Sequence, residues 1–404
     1  MKKVLFGTTA LVAAGMFGSA AQAAEPIKLS VGGFMNQFVV IGDTDAYTYN
    51  GSAAIGAGSN RFTREYGNVG IVSDTEVHFK GSTTLDNGLK VAVVIELEAE
   101  RTATSTARNA DQQYVALSGG WGQVRVGEMF NAAQVVHNQA PTVGAGNADV
   151  TTFFTASVPN GAGLTTMANA FTSADGIANA GRASTAIDYI SPMFGPFAFG
   201  LTYTPNVLSR GFAQESASLN DLAGVAFVYA DKWGPVGVNA DVAYARFDYD
   251  HSMGAAGTLL SNATGVVHAV PVGGKISYAG FDLGGSYIRI MDSLSSGRGN
   301  AGAGLTADAA SGSYDGAAWD AGVAYTTGPW KFAYAYYASS LEGRLRVHGK
   351  DEHQIHNIGG QYTMGPGVIV SVNGVYQEYR EEDSATVGSK QEAFGFVTGL
   401  KLTF

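Results

Sequence analysis

Apolar residues alternate with small or polar residues along most of this chain. The pattern is clear in RASTAIDYISPMFGPFAFGLTYTPN, residues 182–206, where two alternating runs flank a turn that contains Pro. Tyr189 and Phe199 belong to an apolar, largely aromatic face, whereas Asp188 and Gly200 belong to a small and polar face. A period of two residues indicates β-strands. The second face is too small and polar for the wall of a dry core, so we expect it to meet water.

The same alternation predicts sixteen strands between turn signals. Their approximate ranges are 27–40, 74–85, 89–100, 111–119, 122–129, 184–191, 196–205, 221–230, 235–248, 266–278, 281–291, 316–326, 329–340, 351–363, 367–380 and 391–404. Tight turns, such as residues 85–88 and 279–280, alternate with long loops that are polar or rich in Gly, Ala and Ser. Tight turns at one end and long loops at the other are typical of an up-and-down barrel in an outer membrane. The sequence therefore predicts an all-β protein, a 16-stranded antiparallel transmembrane β-barrel.

The last predicted strand shows which face meets lipid. Phe396 and Leu400 share one face, and Gly399 and Lys401 share the other. Trp and Tyr residues gather near strand ends, as expected for rings at a membrane interface; Trp330, for example, lies beside a tight turn. A closed barrel leaves no unpaired backbone in lipid, so such a chain can cross a bilayer without helices. The alternative, a soluble sandwich with an aromatic core, stays open at this point.

The first residues resemble a secretory leader. MKKVLFGTTALVAAGMFGSAAQAAEP combines a basic start, a short apolar run and the small-x-small site Ala21-Gln22-Ala23. We expect residues 1–23 to be a cleaved signal peptide and residues 24–404 to form a single barrel domain. An N-terminal membrane anchor is the alternative. After the leader, no apolar run reaches the ~18 residues that a membrane-spanning helix needs.

Composition excludes several classes of function. The chain has 404 residues and a formal net charge of −10; loss of Lys2 and Lys3 leaves 22 basic residues against 34 acidic ones, and 22 − 34 = −12. A nucleic-acid partner would favour a basic protein, so we expect none. There is no cysteine, which excludes disulfides, thiolate metal sites and a thiol nucleophile.

Several segments of the mature chain together resemble the general porins of Gram-negative bacteria. They are EPIKLSVGGFMNQFVV after the leader, DTEVHFKGSTTLDNGLKVAVVIELE at 74–98, DQQYVALSGGWGQVRVGEM at 111–129, AIDYISPMFGPFAFGLTY, and the closing FGFVTGLKLTF. The match resembles the type common in photosynthetic and related alphaproteobacteria. The resemblance implies outer-membrane homotrimers that pass small hydrophilic solutes and ions, and it implies that the terminal Phe404 serves barrel assembly. A substrate-selective channel for sugars or organic acids, with an aromatic track in the lumen, and a non-channel structural or binding protein are the alternatives.

Residues 130–183 form the longest stretch without a strand pattern. A loop of this length is usually functional or disordered. The resemblance implies that it is the third loop, which folds inward and constricts the pore. The resemblance also implies a basic wall on the early strands, with Arg125 and Lys80 facing loop acids.

Alternation predicts which charged residues line the pore. Val77 and Phe79 belong to the lipid face, so their neighbours His78 and Lys80 point inward. The predicted wall residues of the pore are Glu76, His78, Lys80, Lys90, Glu96, Glu98, Arg125 and Asp188. The acids expected to oppose the basic wall are Asp149 and Asp175 on the loop, with Glu128 at the strand end. Each of them is equally compatible with an ordinary solvated wall position.

No pattern indicates an enzyme. The segment HGKDEHQIH places His353 and His356 three residues apart, which on a strand directs them to opposite faces and excludes joint metal ligation. We interpret these histidines, with His348, as solvated loop residues. Nucleophile-elbow, zinc-protease and phosphate-loop motifs do not occur. We therefore predict no catalytic residues, no cofactor and no metal site.

Overall fold

The computed structural model describes residues 26–44, 47–51, 60–64, 68–99, 110–144, 184–206, 219–251, 263–291, 294–295, 312–344, 349–380 and 390–404. Nineteen strands and one short helix lie in these ranges. The strands are β1 (Lys28–Thr44), β2 (Tyr47–Gly51), β3 (Asn60–Arg64), β4 (Val69–Thr84), β5 (Lys90–Glu98), β6 (Ala110–Gly119), β7 (Gly122–Met129), β8 (Ser184–Ile190), β9 (Phe197–Asn206), β10 (Leu219–Trp233), β11 (Val236–His251), β12 (Ala263–Tyr278), β13 (Phe281–Met291), β14 (Leu294–Ser295), β15 (Gly312–Thr327), β16 (Trp330–Arg344), β17 (Asp351–Gly365), β18 (Val368–Arg380) and β19 (Lys390–Thr403). The helix α1 is Ala132–Val136.

Sixteen of the strands close into a barrel. Strand β1 pairs antiparallel with both β4 and β19, and each intervening strand pairs with its neighbour along the chain. The short β14 adds to β15, and β2 pairs with β3 as a separate hairpin. The predicted fold class is therefore confirmed. The observed strands β4, β10 and β15 extend beyond their predicted ranges at the long-loop end.

Side-chain exposure follows the predicted alternation. In β18, Val370 and Val372 are exposed on the outside, whereas Ser371 and Asn373 are buried on the inside. Apolar side chains outside and polar side chains inside are the pattern of a barrel in lipid. Among the described residues, no helix is long and apolar enough to cross a membrane.

The tight turns gather at one end of the barrel and depend on glycine. Gly234 and Gly328 have φ values of +63° and +55°, in the left-handed region that glycine adopts without strain. Strand β1 and the last residue meet at the same end, where the Gly33 N–H donates to the Phe404 carbonyl at 3.0 Å and the Phe404 N–H donates to the Gly33 carbonyl at 3.1 Å. These bonds tie the last residue to the first strand.

The lumen is less polar than the sequence indicated. Towards the long-loop end, inward positions carry buried apolar side chains that form one cluster, including Phe38, Phe247, Ile288 and Val375. Alternation predicts small, polar or charged residues on the inward face, and at these positions that prediction is wrong. Alternation assigns a residue to a face, but it does not report what packs against that face inside the barrel.

Candidate functional site

Residues 130–144, here called the inner segment, leave β7 and run inside the barrel. The segment begins with α1, whose N-cap Asn131 accepts a hydrogen bond from the Gln134 N–H at 2.9 Å. The Ala132 N–H donates to the Thr202 hydroxyl at 2.9 Å. A Cβ at Gly200 would lie 2.7 Å from the Ala132 Cβ, so glycine in β9 lets the helix approach the wall.

Asp241 of β11 holds the middle of the inner segment. Its carboxylate lies 2.6 Å from His137 Nδ1 and accepts hydrogen bonds from the Asn138 backbone N–H at 2.8 Å and from Asn138 Nδ2 at 2.7 Å. On the neighbouring strand, a methyl group at Gly273 would overlap the Asn138 carbonyl oxygen. One buried carboxylate and one glycine therefore fix this part of the segment against the wall.

Asp320 of β15 provides the next attachment. It accepts hydrogen bonds from the Ala140 N–H at 2.7 Å and from the Ser286 hydroxyl at 2.6 Å. Further on, Lys331 Nζ donates to the Thr142 carbonyl at 3.0 Å.

The segment continues as far as β18. Asn373 Nδ2 donates to the Val143 carbonyl at 3.0 Å, and the Gly144 N–H donates to Gln361 Oε1 at 3.2 Å. The inner segment thus follows the inside of the wall from β7 to β18. Residues 145–183, with the predicted acids Asp149 and Asp175, lie outside the described residues.

The predicted basic residue Arg125 has a partner on the adjacent strand. Its Nη2 lies 2.5 Å from Asp188 Oδ2, and the exposed fractions of the two side chains are 5% and 0%. Arg125 also donates to the Phe130 carbonyl at 3.0 Å and lies over the Tyr114 ring. The pair therefore anchors the start of the inner segment, and its charges are not presented to the open lumen.

Four other predicted residues meet on the wall of β4 and β5. Lys80 Nζ lies 2.7 Å from Glu96 Oε1, and His78 Nε2 lies 2.6 Å from Glu76 Oε2. We call Glu76, His78, Lys80 and Glu96 the wall cluster. The strand register places Glu98 opposite Glu76. The register therefore places Glu98 and the wall cluster on one face of β4 and β5.

Lys90 and Glu128 lie outside the wall cluster. Lys90 lies on β5 at the tight-turn end, opposite Ser118 of β6. Glu128 lies opposite Gln113, whose Nε2 donates to Glu128 Oε2 at 3.0 Å. Glu128 is 2% exposed, whereas Val126 is 47% exposed, and the place of Glu128 at the constriction stays a prediction.

The interpretation of the histidines as solvated loop residues is wrong for two of them. His353 and His356 both lie within β17, and His353 is 2% exposed. His353 packs against Tyr337 inside the barrel, whereas His356 is hydrogen-bonded to Tyr334 on the outside. Their placement on opposite faces agrees with the expectation from spacing, and His348 lies outside the described residues.

Sequence reasoning missed the residues that hold the inner segment. Asp241 and Asp320 are inward carboxylates with small buried neighbours on the same face of their strands, Ala243 and Ala318. Asn373 lies among other polar inward residues, Ser371 and Gln377. A carboxylate at an inward position is costly to bury without hydrogen-bond partners. That cost is the signal that could have identified Asp241 and Asp320.

Comparisons with known proteins agree with this architecture. A family model described as Gram-negative porin matches residues 7–384. No curated protein sequence is significantly similar to the chain.

Solved structures are similar at low sequence identity. The outer membrane channel DcaP of Acinetobacter baumannii has 12% identity and a TM-score of 0.59, covering 96% of this chain and 100% of that one. An anion-selective porin from Comamonas acidovorans has 17% identity and a TM-score of 0.54, covering 94% and 100%. In vitro folded OmpT of Vibrio cholerae, in a trimer form, has 11% identity and a TM-score of 0.55, covering 95% and 100%. At these identities the likeness shows the fold alone.

Proposed function

This chain belongs to the Gram-negative porin family, and we propose that it is a general diffusion channel narrowed by its inner segment, residues 130–144. The family and the closed barrel indicate an outer-membrane channel that passes small hydrophilic solutes passively. The family is one of channels, and we propose no catalytic residues.

The course of the inner segment carries this proposal. Its backbone and side chains are bonded to Asp241, Asp320, Lys331 and Asn373, which all project inward from the wall. A segment fixed in this way reduces the cross-section that is open to water and to solutes.

Conductance of the purified protein in planar bilayers tests the proposal. A general diffusion channel gives stepwise openings whose conductance rises in proportion to salt concentration. Asp241→Ala removes the hydrogen-bond acceptor for His137 and Asn138, so the inner segment is held less firmly. We expect this variant to show larger or noisier openings. Asn239→Ala, two residues away on the same strand, is the matched control. A barrel without openings, or conductance that saturates with one solute, contradicts general diffusion.

A homotrimer is the second part of the proposal. Exposed side chains on β1 and β4, such as Val39 and Ile71, are aliphatic, whereas β10, β13 and β16 expose aromatic side chains such as Phe227, Tyr287 and Phe332. Aromatic side chains suit a lipid boundary, and a face whose most exposed side chains are aliphatic suits contact with protein. We therefore assign the β1–β4 face to the subunit contact.

The remaining assignments rest on the sequence. We propose cleavage after Ala23, within residues that the structure does not describe, and sequencing of the mature N-terminus tests it. Phe404 is proposed as the assembly signal, in keeping with its exposed ring at the end of β19. The closer kinship with alphaproteobacterial porins is proposed from the quoted segments alone.

A further inference from the structure

The wall cluster contains a mixed set of metal-ligating atoms. Glu76, His78 and Glu96 each offer one donor atom, and these atoms lie within 4.8 Å of one another. The register pairs His78 with Glu96 directly across β4 and β5, and Glu76 lies two residues from His78 on the same inward face. One imidazole nitrogen with two carboxylate oxygens is a donor set that suits Zn²⁺, Cu²⁺ or Ni²⁺.

Two neighbours hold these ligands in place. Gln112 donates from Nε2 to Glu96 Oε2 at 2.6 Å and accepts from the Phe130 N–H at 3.2 Å, so its amide orientation is fixed. The other oxygen, Glu96 Oε1, lies 2.7 Å from Lys80 Nζ and 3.8 Å from His78 Nδ1. The His78 ring meets Phe34 edge-on, with centroids 5.9 Å apart. Hydrogen bonds and packing of this kind orient the side chains that bind a metal ion directly.

The present contacts are compatible with a metal ion between the ligands. His78 Nε2 is 2.6 Å from Glu76 Oε2, and a metal ion would replace the proton that these two atoms share. Bonds of about 2.0–2.2 Å to each ligand atom place tetrahedral ligands about 3.3 Å apart, so the three donor atoms need to move by only about 1.5 Å at most. Lys80 is a competing cation for Glu96, but its side chain is 43% exposed and can move into water.

We propose that Glu76, His78 and Glu96 form a lumenal binding site for a divalent transition-metal ion, and that bound metal lowers the conductance of the pore. The side chains of Glu76 and His78 are 15% and 19% exposed, so an ion in the lumen reaches them. Ca²⁺ prefers six to eight oxygen ligands, and the imidazole therefore favours the transition metals over Ca²⁺. The site makes permeation sensitive to metal, which simple passive diffusion does not require.

Zn²⁺ titration of single channels tests the proposal. Zn²⁺ reduces the conductance of the unaltered protein, and His78→Gln raises the Zn²⁺ concentration for half-reduction by about tenfold or more, because a direct ligand is lost. Ca²⁺ at equal concentration has the same small effect on both proteins. Asp282→Asn removes a lumenal carboxylate elsewhere, on β13, and leaves the Zn²⁺ response unchanged. Equal Zn²⁺ responses in the unaltered protein and His78→Gln overturn the proposal. It is also overturned if Asp282→Asn weakens the Zn²⁺ response as much as His78→Gln does.

Electron paramagnetic resonance with substoichiometric Cu²⁺ gives a readout that does not depend on conductance. The unaltered protein in detergent shows hyperfine coupling to one imidazole nitrogen, and His78→Gln loses that coupling while remaining a folded, heat-modifiable barrel. A Cu²⁺ spectrum unchanged by His78→Gln overturns the metal site. If the protein failed to conduct, this measurement would still decide on the metal site, so failure of the channel proposal and failure of this one are distinguishable.

Discussion

At the scale of single residues, basic side chains inside this barrel are paired with acidic ones. Arg125 is enclosed with Asp188, and Lys80 is in contact with Glu96. The two pairs differ in burial, since Lys80 is 43% exposed and Arg125 is 5% exposed. Burial decides the energetic consequence of removing one partner: an exposed pair contributes little, whereas a buried partner left alone is costly.

Loss of Arg125 alone is expected to destabilise the barrel. Arg125→Gln leaves Asp188 buried without its counter-ion, which costs about 3–5 kcal/mol. The double variant Arg125→Gln/Asp188→Asn recovers most of this loss, because neither charge remains. Urea unfolding in detergent micelles, followed by Trp fluorescence, measures both.

Lys80→Gln is the control for an exposed pair, with an expected effect below about 1 kcal/mol. Equal destabilisation by Lys80→Gln and Arg125→Gln would show that burial of the pair is not the reason. A shift of ion selectivity in Arg125→Gln without loss of stability would instead support the basic wall implied by the family resemblance.

At the scale of elements, glycine positions on the strands decide how closely the inner segment lies against the wall. Gly273 of β12 faces Asn138, where a methyl group would overlap the backbone. Gly224 of β10 is different, since a Cβ there would have its nearest neighbour at 3.7 Å, an ordinary contact. The two glycines therefore form a natural comparison.

Gly273→Ala is expected to displace the inner segment and change single-channel conductance, because the new methyl group and the Asn138 carbonyl cannot share one position. Gly224→Ala leaves conductance unchanged. Planar bilayer recordings of both variants provide the measurement. Identical conductance in Gly273→Ala and the unaltered protein would contradict the close contact.

The faces of β19 give a second prediction at this scale. Phe396 is 53% exposed on the outside, and a charge there near the middle of the bilayer costs about 2–4 kcal/mol. We expect Phe396→Arg to reduce the yield of folded barrel, whereas Lys401→Gln on the inward face is mild. Electrophoretic heat-modifiability of membrane fractions measures the yield, and similar yields from the two variants would contradict the assignment of faces.

At the scale of the whole molecule, the outer surface is divided into an aromatic part and an aliphatic part on β1 and β4. Light scattering in detergent is expected to give the mass of a trimer. Because the chain has no cysteine, single introduced thiols report on one position each. In the trimer, Ile71→Cys is protected from a lipophilic maleimide, while Phe332→Cys on the aromatic surface reacts.

Monomeric mass, or equal labelling of the two thiols, would contradict the proposed subunit contact. Dissociation of the trimer should expose Ile71→Cys to the reagent, which controls for reactivity of the thiol itself. Phe332→Cys should react to the same extent before and after dissociation.

The sequence by itself determined the strands and their faces, because a strand directs successive side chains to opposite sides and a bilayer makes the difference between the sides large. The inward orientation of His78 and Lys80 and the opposite faces of His353 and His356 follow from this rule alone.

Only the tertiary structure decided which inward residues meet. Arg125 and Asp188 are 63 residues apart, Asn138 and Asp241 are 103 apart, and Val143 and Asn373 are 230 apart. Periodicity within one strand does not indicate which residues of distant strands make contact. These contacts depend on the closure of the barrel and on the path of the inner segment along its wall. Both bring side chains of distant strands together around a common lumen.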